Sequence, residues 1–339
     1  MTDQNPNTAS SLVTVGMFDG VHAGHRYLLQ CLKKEARLRG LTPVVVTFTN
    51  HPLSVIKPVA APAPMLPLQQ KIDLIRSEGI DNVVAMEFDG ELRKLTAAEF
   101  TGRILIPELK ARALMLGYDN SFGSDCLKSA AQYFEALSSL PVEVLECKAL
   151  DGCEVSSTLI RKALAAGNLP DAKRMLGRPY SIRGKVIEGR QLGRTIGFPT
   201  ANIDVGSLLL PKPGVYAAKV LSASNPDIIG LPVMLNIGYA PTVNSGADVQ
   251  PSVEAHIITG DNLCEPSYSY QEDKIDNSFN PSTLDEMNLN LYGDNIELEI
   301  IDRLRDEKRF ATLEELRNAL IDDRRATLRT VKSRFDNKC

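Results

Sequence analysis

Ten residues near the start of the chain, Gly16-Met17-Phe18-Asp19-Gly20-Val21-His22-Ala23-Gly24-His25, set two histidines three positions apart among glycines. Glycine lets the backbone turn sharply and approach a ligand closely. Two imidazoles at that spacing share a face once a helix begins. Helix-start amides attract phosphate, and imidazoles beside them can donate to it. Zinc is not suggested, because no third ligand lies nearby, and no GxxxxGK[ST] run is present. A histidine pair that merely caps a helix is the plainer alternative. A second group, Val155-Ser156-Ser157-Thr158-Leu159-Ile160-Arg161, offers hydroxyls at a helix start with a guanidinium one turn on. Alone it would be a good N-cap. A third runs Gly184-Lys185-Val186-Ile187-Glu188-Gly189-Arg190-Gln191-Leu192-Gly193-Arg194-Thr195-Ile196-Gly197-Phe198-Pro199-Thr200-Ala201-Asn202. Glycines around a basic turn admit phosphate. Thr200 and Asn202 share a face in an extended segment, and their oxygens suit Mg²⁺ held between nucleotide phosphates. A purely structural Gly-rich turn remains open at this point.

The elements that must hold these groups differ between the two halves. Apolar runs at 11–18, 43–48, 83–88, 113–118 and 142–147 read as buried strands. Helical text at 23–39, 68–78, 96–112, 126–138 and 157–166 separates or follows them. Strand and helix alternating in this way predict a Rossmann-like parallel sheet covered on both faces. The first histidine group falls at the C-terminal end of the first strand, where open parallel sheets bind ligands. Beyond Arg178-Pro179, short runs at 180–189, 214–222, 231–239, 253–259 and 296–305 are divided by Gly, Pro and Asn. That pattern predicts a small antiparallel β-barrel closed by an amphipathic helix at about 312–330. The expected domains are 1–178 and 179–339, with 261–290 a long polar insertion loop.

Composition narrows the class. The chain has 339 residues, which points to two domains, and 43% hydrophobic with 24% charged residues is ordinary globular composition. The formal charge of −4 argues against bulk nucleic-acid binding. No apolar run is long enough to span a membrane, and the polar first ten residues do not read as a secretory signal. Six cysteines without a CxxC pair fit free thiols in a reducing cytoplasm.

The first motif resembles the G-x-F-D-x-x-H-x-G-H signature of the HxGH nucleotidyltransferases, and 155–161 resembles their I-S-S-T-x-x-R element. GKVIEGRQLGRTIGFPTANI resembles the riboflavin kinase signature. Pro213-Gly214-Val215-Tyr216-Ala217, Asn236-Ile237-Gly238, Val253-Glu254-Ala255-His256, Leu291-Tyr292-Gly293 and Arg305-Asp306-Glu307-Lys308-Arg309-Phe310 follow in that family's order. From about residue 11 to 332 the chain resembles the bifunctional bacterial riboflavin kinases/FMN adenylyltransferases, the FAD synthetases.

The resemblance implies two reactions. ATP would phosphorylate riboflavin to FMN in the second half, with Thr200 and Asn202 on Mg²⁺ and Glu254 as general base. Gly184, Lys185, Gly193, Thr195, Gly197 and Pro199 would cradle the nucleotide. A second ATP would adenylylate FMN to FAD, releasing pyrophosphate, in the first half. There His22, His25 and Arg161 would be catalytic, and Gly16, Phe18, Asp19, Gly20, Gly24, Ser157 and Thr158 would bind ATP. Pro52, Asp119, Phe122 and Arg305 would contact flavin. FMN and FAD would be products rather than bound prosthetic groups. Riboflavin, FMN and ATP are the implied partners; neither nucleic acid nor membrane is expected, and an oligomer stays open. Departures from the family pattern fall at Asn50, Asn120 and Ser124, and bear on FMN affinity. The competing readings are a riboflavin kinase with a weak or altered adenylyltransferase half, and a silent flavin-binding scaffold.

Overall fold

The computed structural model of the chain describes residues 10–117, 122–147, 155–189, 193, 196–241, 249–259 and 291–336. Asp119, Asn120, Thr195 and the expected insertion at 261–290 lie outside the described residues. Two compact units result: Met1–Leu159 with Met175–Gly177, and Ile160–Arg174 with Arg178–Cys339.

The first unit is a parallel sheet of β1 (Ser11–Val15), β2 (Thr42–Phe48), β3 (Asn82–Met86), β4 (Ala111–Leu116) and β5 (Glu143–Glu146). Their order, β3-β2-β1-β4-β5, puts β1 in the middle. The strand order reverses there, so the C-terminal end of β1 opens at the topological switch point. Both faces are covered, as the unbroken apolar strands predict. Val13, Val15, Val44 and Val46 pack into one core. Leu12 and Val45 join Leu28, Leu29 and Leu32 of α1 (Ala23–Arg39) in the other. Gly40, at φ 65°, takes the left-handed conformation that stops α1.

After β2 the chain forms α2 (Pro52–Ile56) and α3 (Leu68–Ser77). The helix expected over 96–112 is instead divided into α4 (Ala97–Phe100), a π-helical turn (Thr101–Leu105) and α5 (Ile106–Leu109). Pro107 explains the division. It has no N–H to donate, and its ring crowds the carbonyl four residues earlier, so the ladder loosens there. Lys110, at φ 52°, ends the segment and lets β4 begin at Ala111. The helix expected over 126–138 shortens to α6 (Ala130–Ala136), capped by the Ser129 hydroxyl on the Gln132 amide. Then α7 (Ser157–Ala166) matches its expected range, and α8 (Leu169–Leu176) is an addition.

The second unit is a closed antiparallel barrel of β6 (Ser181–Ile187), β7 (Ala201–Asp204), β8 (Gly214–Ala223), β9 (Pro232–Pro241), β10 (Val249–Ile257) and β11 (Asn295–Arg305). The strands close in the order β10-β7-β6-β11-β8-β9. Buried Val253 and Ala255 alternate with Glu254 and His256, so the two pairs occupy opposite faces. Met234, directly opposite His256, packs with Phe198 and Ile258 against Leu320, Ile321 and Leu328. Those three belong to α9 (Leu313–Asp336), the predicted closing helix, which runs longer than expected.

Candidate active sites

The first site is built where β1 ends. Phe18 (φ 49°), Gly20 (φ 79°) and Val21 (φ 39°) all have positive φ, so the chain turns hard before α1. For Phe18 and Val21 this is an unfavourable backbone that surrounding contacts must hold. His22, 5% exposed, is the N-cap of α1, and its Nδ1 accepts the His25 amide at 3.3 Å. With Nδ1 an acceptor, the ring's own proton sits on Nε2. The His22 and His25 rings stack with centroids 3.7 Å apart and planes 13° from parallel. Gly24 permits this, since a Cβ there would lie 3.3 Å from the His22 ring. Two imidazolium ions cannot comfortably stack so closely. Burial first, then His22 and Lys71, hold His25 well below the usual histidine range. Its Nδ1 is buried without a hydrogen-bond partner among the described residues. A buried, uncharged, unpartnered ring nitrogen is what a polar ligand would satisfy.

The second motif reaches the first. Ser157, at the start of α7, donates its hydroxyl to the carbonyl of Asp19 at 3.1 Å across 138 residues of sequence. Asp19 is itself buried, and its Oδ1 accepts the Met65 amide at 3.0 Å. Thr158 is exposed on α7. Arg161, one turn along that helix, groups with the second unit.

The second site lies on the barrel face that also carries Met234. Strand register sets Asn202 of β7 opposite Glu254 of β10, and Glu254 opposite Asn236 of β9. Directly opposed residues point to one side, so an amide, a carboxylate and a second amide form a row across three strands. Asn236 Nδ2 donates to Glu307 Oε1 at 3.5 Å. Close approaches demand glycine nearby: a Cβ on Gly189 would overlap the Asn202 amide, and one on Gly193 the Phe198 carbonyl. The Gly193 carbonyl accepts the Phe198 amide at 2.8 Å, closing a tight turn. Thr200 Oγ1 lies 3.5 Å from the same Gly193 Cβ position. His256 Nδ1 donates to the Pro199 carbonyl at 2.8 Å, bracing the residue before Thr200. Burial pushes His256 down to about 4, against the opposing effect of that bond, so the ring is neutral at physiological pH.

A family model described as FAD synthetase matches residues 4–159, and one described as riboflavin kinase matches 176–331. The bifunctional riboflavin kinase/FMN adenylyltransferase of Escherichia coli (strain K12) is 34% identical over 92% of this chain and 90% of its own length. That of Pseudomonas fluorescens is 34% identical over 94% and 92%. The chain belongs to the bifunctional riboflavin kinase/FMN adenylyltransferase family. A solved Streptococcus pneumoniae chain described as a macrolide-efflux protein superposes with TM-score 0.73 at 26% identity, over 96% of this chain and 95% of that one. Among the described residues, no helix is long and apolar enough to cross a membrane.

Other residues that the riboflavin kinase/FMN adenylyltransferase pattern singles out have structural partners. Gly16 donates its amide to Val46 at 3.0 Å, joining β1 to β2. Pro52 opens α2, which His51 caps through the Leu53 amide. Asn50, where the family has proline, bonds the backbone of Phe88 both ways, at 2.9 and 2.8 Å. Phe122, 9% exposed, packs on Phe100 and Tyr133, and the Tyr133 hydroxyl grips its backbone. Ser124 ties its amide to Leu95 and its hydroxyl to Lys94. Gly184 brings β6 close to β7, as a Cβ there would overlap the Asp204 carbonyl. Lys185 is exposed, and Gly197 turns at φ 82°. Arg305 is held by both carboxylate oxygens of Asp323 on α9, at 2.8 and 2.7 Å. Sequence reasoning named Asn236 and Glu307 only inside family motifs, with no role, and missed Lys71. Asn236 needed the strand register. Lys71 left a signal, since it falls with Leu68 and Ile75 on the apolar side of α3.

Proposed function

We propose that this chain makes FMN from riboflavin and ATP on its barrel, and FAD from FMN and a second ATP at the β1 turn. The observation that carries the reading is that each half gathers its own set of polar groups beside a sharp backbone turn. One is the stacked histidine pair beside a helix start; the other is the amide–carboxylate row beside a glycine turn.

In adenylyl transfer the FMN phosphate attacks the α-phosphorus of ATP. The nucleophile is already an anion, so no base is needed, and the site's task is to offset charge on the in-line transition state. Nε2–H of His22, the His25 ring and the amides of Ala23 and Gly24 are the donors we assign to it. Thr158 is assigned to the departing pyrophosphate, with Ser157 tying its helix start to the β1 turn. In the kinase half, Glu254 takes the proton of the ribityl hydroxyl as it attacks the γ-phosphorus. Asn202 and Asn236 flank that carboxylate and orient it, and the 193–197 backbone holds the nucleotide.

Thr200 and Asn202 provide hard oxygen donors, and the space left by Gly189 is filled by the Asn202 amide. Among the described residues, no cluster of three His, Cys, Asp or Glu could hold a metal unaided. Two donors suffice for Mg²⁺ shared with nucleotide phosphates, and the donor set fits. When bound, the ion would neutralise phosphate charge. The reading includes a cytoplasmic location and a domain division near 178.

Incubating the purified chain with riboflavin, ATP and Mg²⁺ and separating the flavins tests it. FMN and FAD together are expected. FMN alone supports the kinase-dominant alternative, and unchanged riboflavin defeats both.

A further inference from the structure

Lys71 is a buried cation that neither reaction above uses. It sits within α3, only 6% exposed. Its ammonium donates to the carbonyl of Met17 at 3.2 Å and to that of Phe48 at 2.8 Å. Phe48 ends β2, and Met17 lies two residues past the end of β1, so one side chain grips the mouths of two adjacent strands. The Met17 carbonyl also accepts the Thr47 hydroxyl at 3.1 Å. It is thus held from two sides immediately before Phe18, where the strained turn begins. A neutral amide would bond the same carbonyls without burying a charge, and a buried ammonium is unfavourable unless its charge has a use.

We propose that Lys71 is a positioning residue for adenylyl transfer: it holds the strained turn that aims His22 and His25, and its fixed charge favours phosphate beside them. The inference rests on the adenylyltransferase reading of that site. The charged and titratable groups bearing on the ammonium are Asp19 of the turn, which favours its charge, and His25 of α1. Burial, partly offset by Asp19, brings Lys71 down to about 8. The charge is therefore present at neutral pH and lost as pH rises through that value.

The test follows FAD formation from FMN, ATP and Mg²⁺ in the full chain, comparing wild type, Lys71→Met and Lys71→Arg, with FMN formation as the internal control. Misplacing reacting groups by about 1 Å can cost about 10²-fold in rate. Lys71→Met should lose kcat for FAD formation on that scale while FMN formation is unchanged. Lys71→Arg should recover most of the loss. Wild-type FAD formation should decline as pH rises through about 8, and the arginine variant should move that decline upward, because a guanidinium stays charged. A purely structural lysine would not move it. A methionine variant with wild-type kcat overturns the inference. So does an arginine variant whose alkaline decline is unmoved; this second criterion holds even where the methionine variant unfolds. Wild type making no FAD would instead defeat the adenylyltransferase reading, and this inference with it.

Discussion

The two sites are built on opposite principles. At the β1 turn the candidate groups are buried: His22, Asp19 and Lys71 are all sequestered, and each hydrogen-bonds to backbone. On the barrel, Asn202, Glu254 and Asn236 sit half-buried on a strand face whose backbone is already fixed by the ladder. A parallel sheet offers its ligand only the ragged ends of strands, so strained loops must be locked by buried polar contacts. A barrel wall presents side chains directly, and the site's geometry comes with the register. Function and stability should therefore be entangled at the first site and separable at the second.

The sharpest way to break that contrast is Glu254→Ala. FMN formation should fall about 10²–10⁴-fold, the usual contribution of a general base, with an unchanged melting curve and unchanged conversion of supplied FMN to FAD. A large drop in melting temperature would contradict the separability. His25→Ala comes next. FAD formation should fall about 10²–10³-fold while FMN formation holds, measured by chromatography of the products. Loss of both activities together would argue against two sites.

Ser157→Ala sharpens the entanglement. It removes the bond to the Asp19 carbonyl and should lower stability of the first unit by about 1 kcal/mol. The same variant should slow FAD formation, with denaturant titration and rate measured on one preparation. An effect on rate without one on stability would remove the coupling. A separate effect concerns pH on the barrel. His256 is held at about 4 when folded, against about 6.5 in an unfolded chain. Between those values the unfolded state binds the extra proton, so stability should decline as pH falls through this window and level off below it. His256→Gln should flatten that slope in thermal melts recorded from pH 7 to 4.

Legibility followed the range of the forces involved. The span of α1, the stop at Gly40 and the alternation of β8 to β11 were readable because they depend on neighbours within a few residues. The helix expected over 96–112 holds from Ala97 to Leu109, but its π-helical turn before Pro107 was not foreseen, because proline's effect on the ladder is felt one turn away. β7 was too short to carry a periodicity of its own, and it exists as a strand because β6 and β10 flank it. Phe122 and Arg305 could be picked out by motif, but their packing against Tyr133 and pairing with Asp323 could not.

The residues themselves determined the glycines that allow sharp turns, the two histidines on one helical face and the glutamate facing away from the core on an alternating strand. Those are properties of covalent geometry and short-range sterics. Only the tertiary structure decided that Ser157 bonds to Asp19, that Lys71 holds two strand ends, and that Asn202, Glu254 and Asn236 stand in one row. Each of these depends on strand order and register. Those are set by burial of the whole core, a quantity no local stretch of sequence contains.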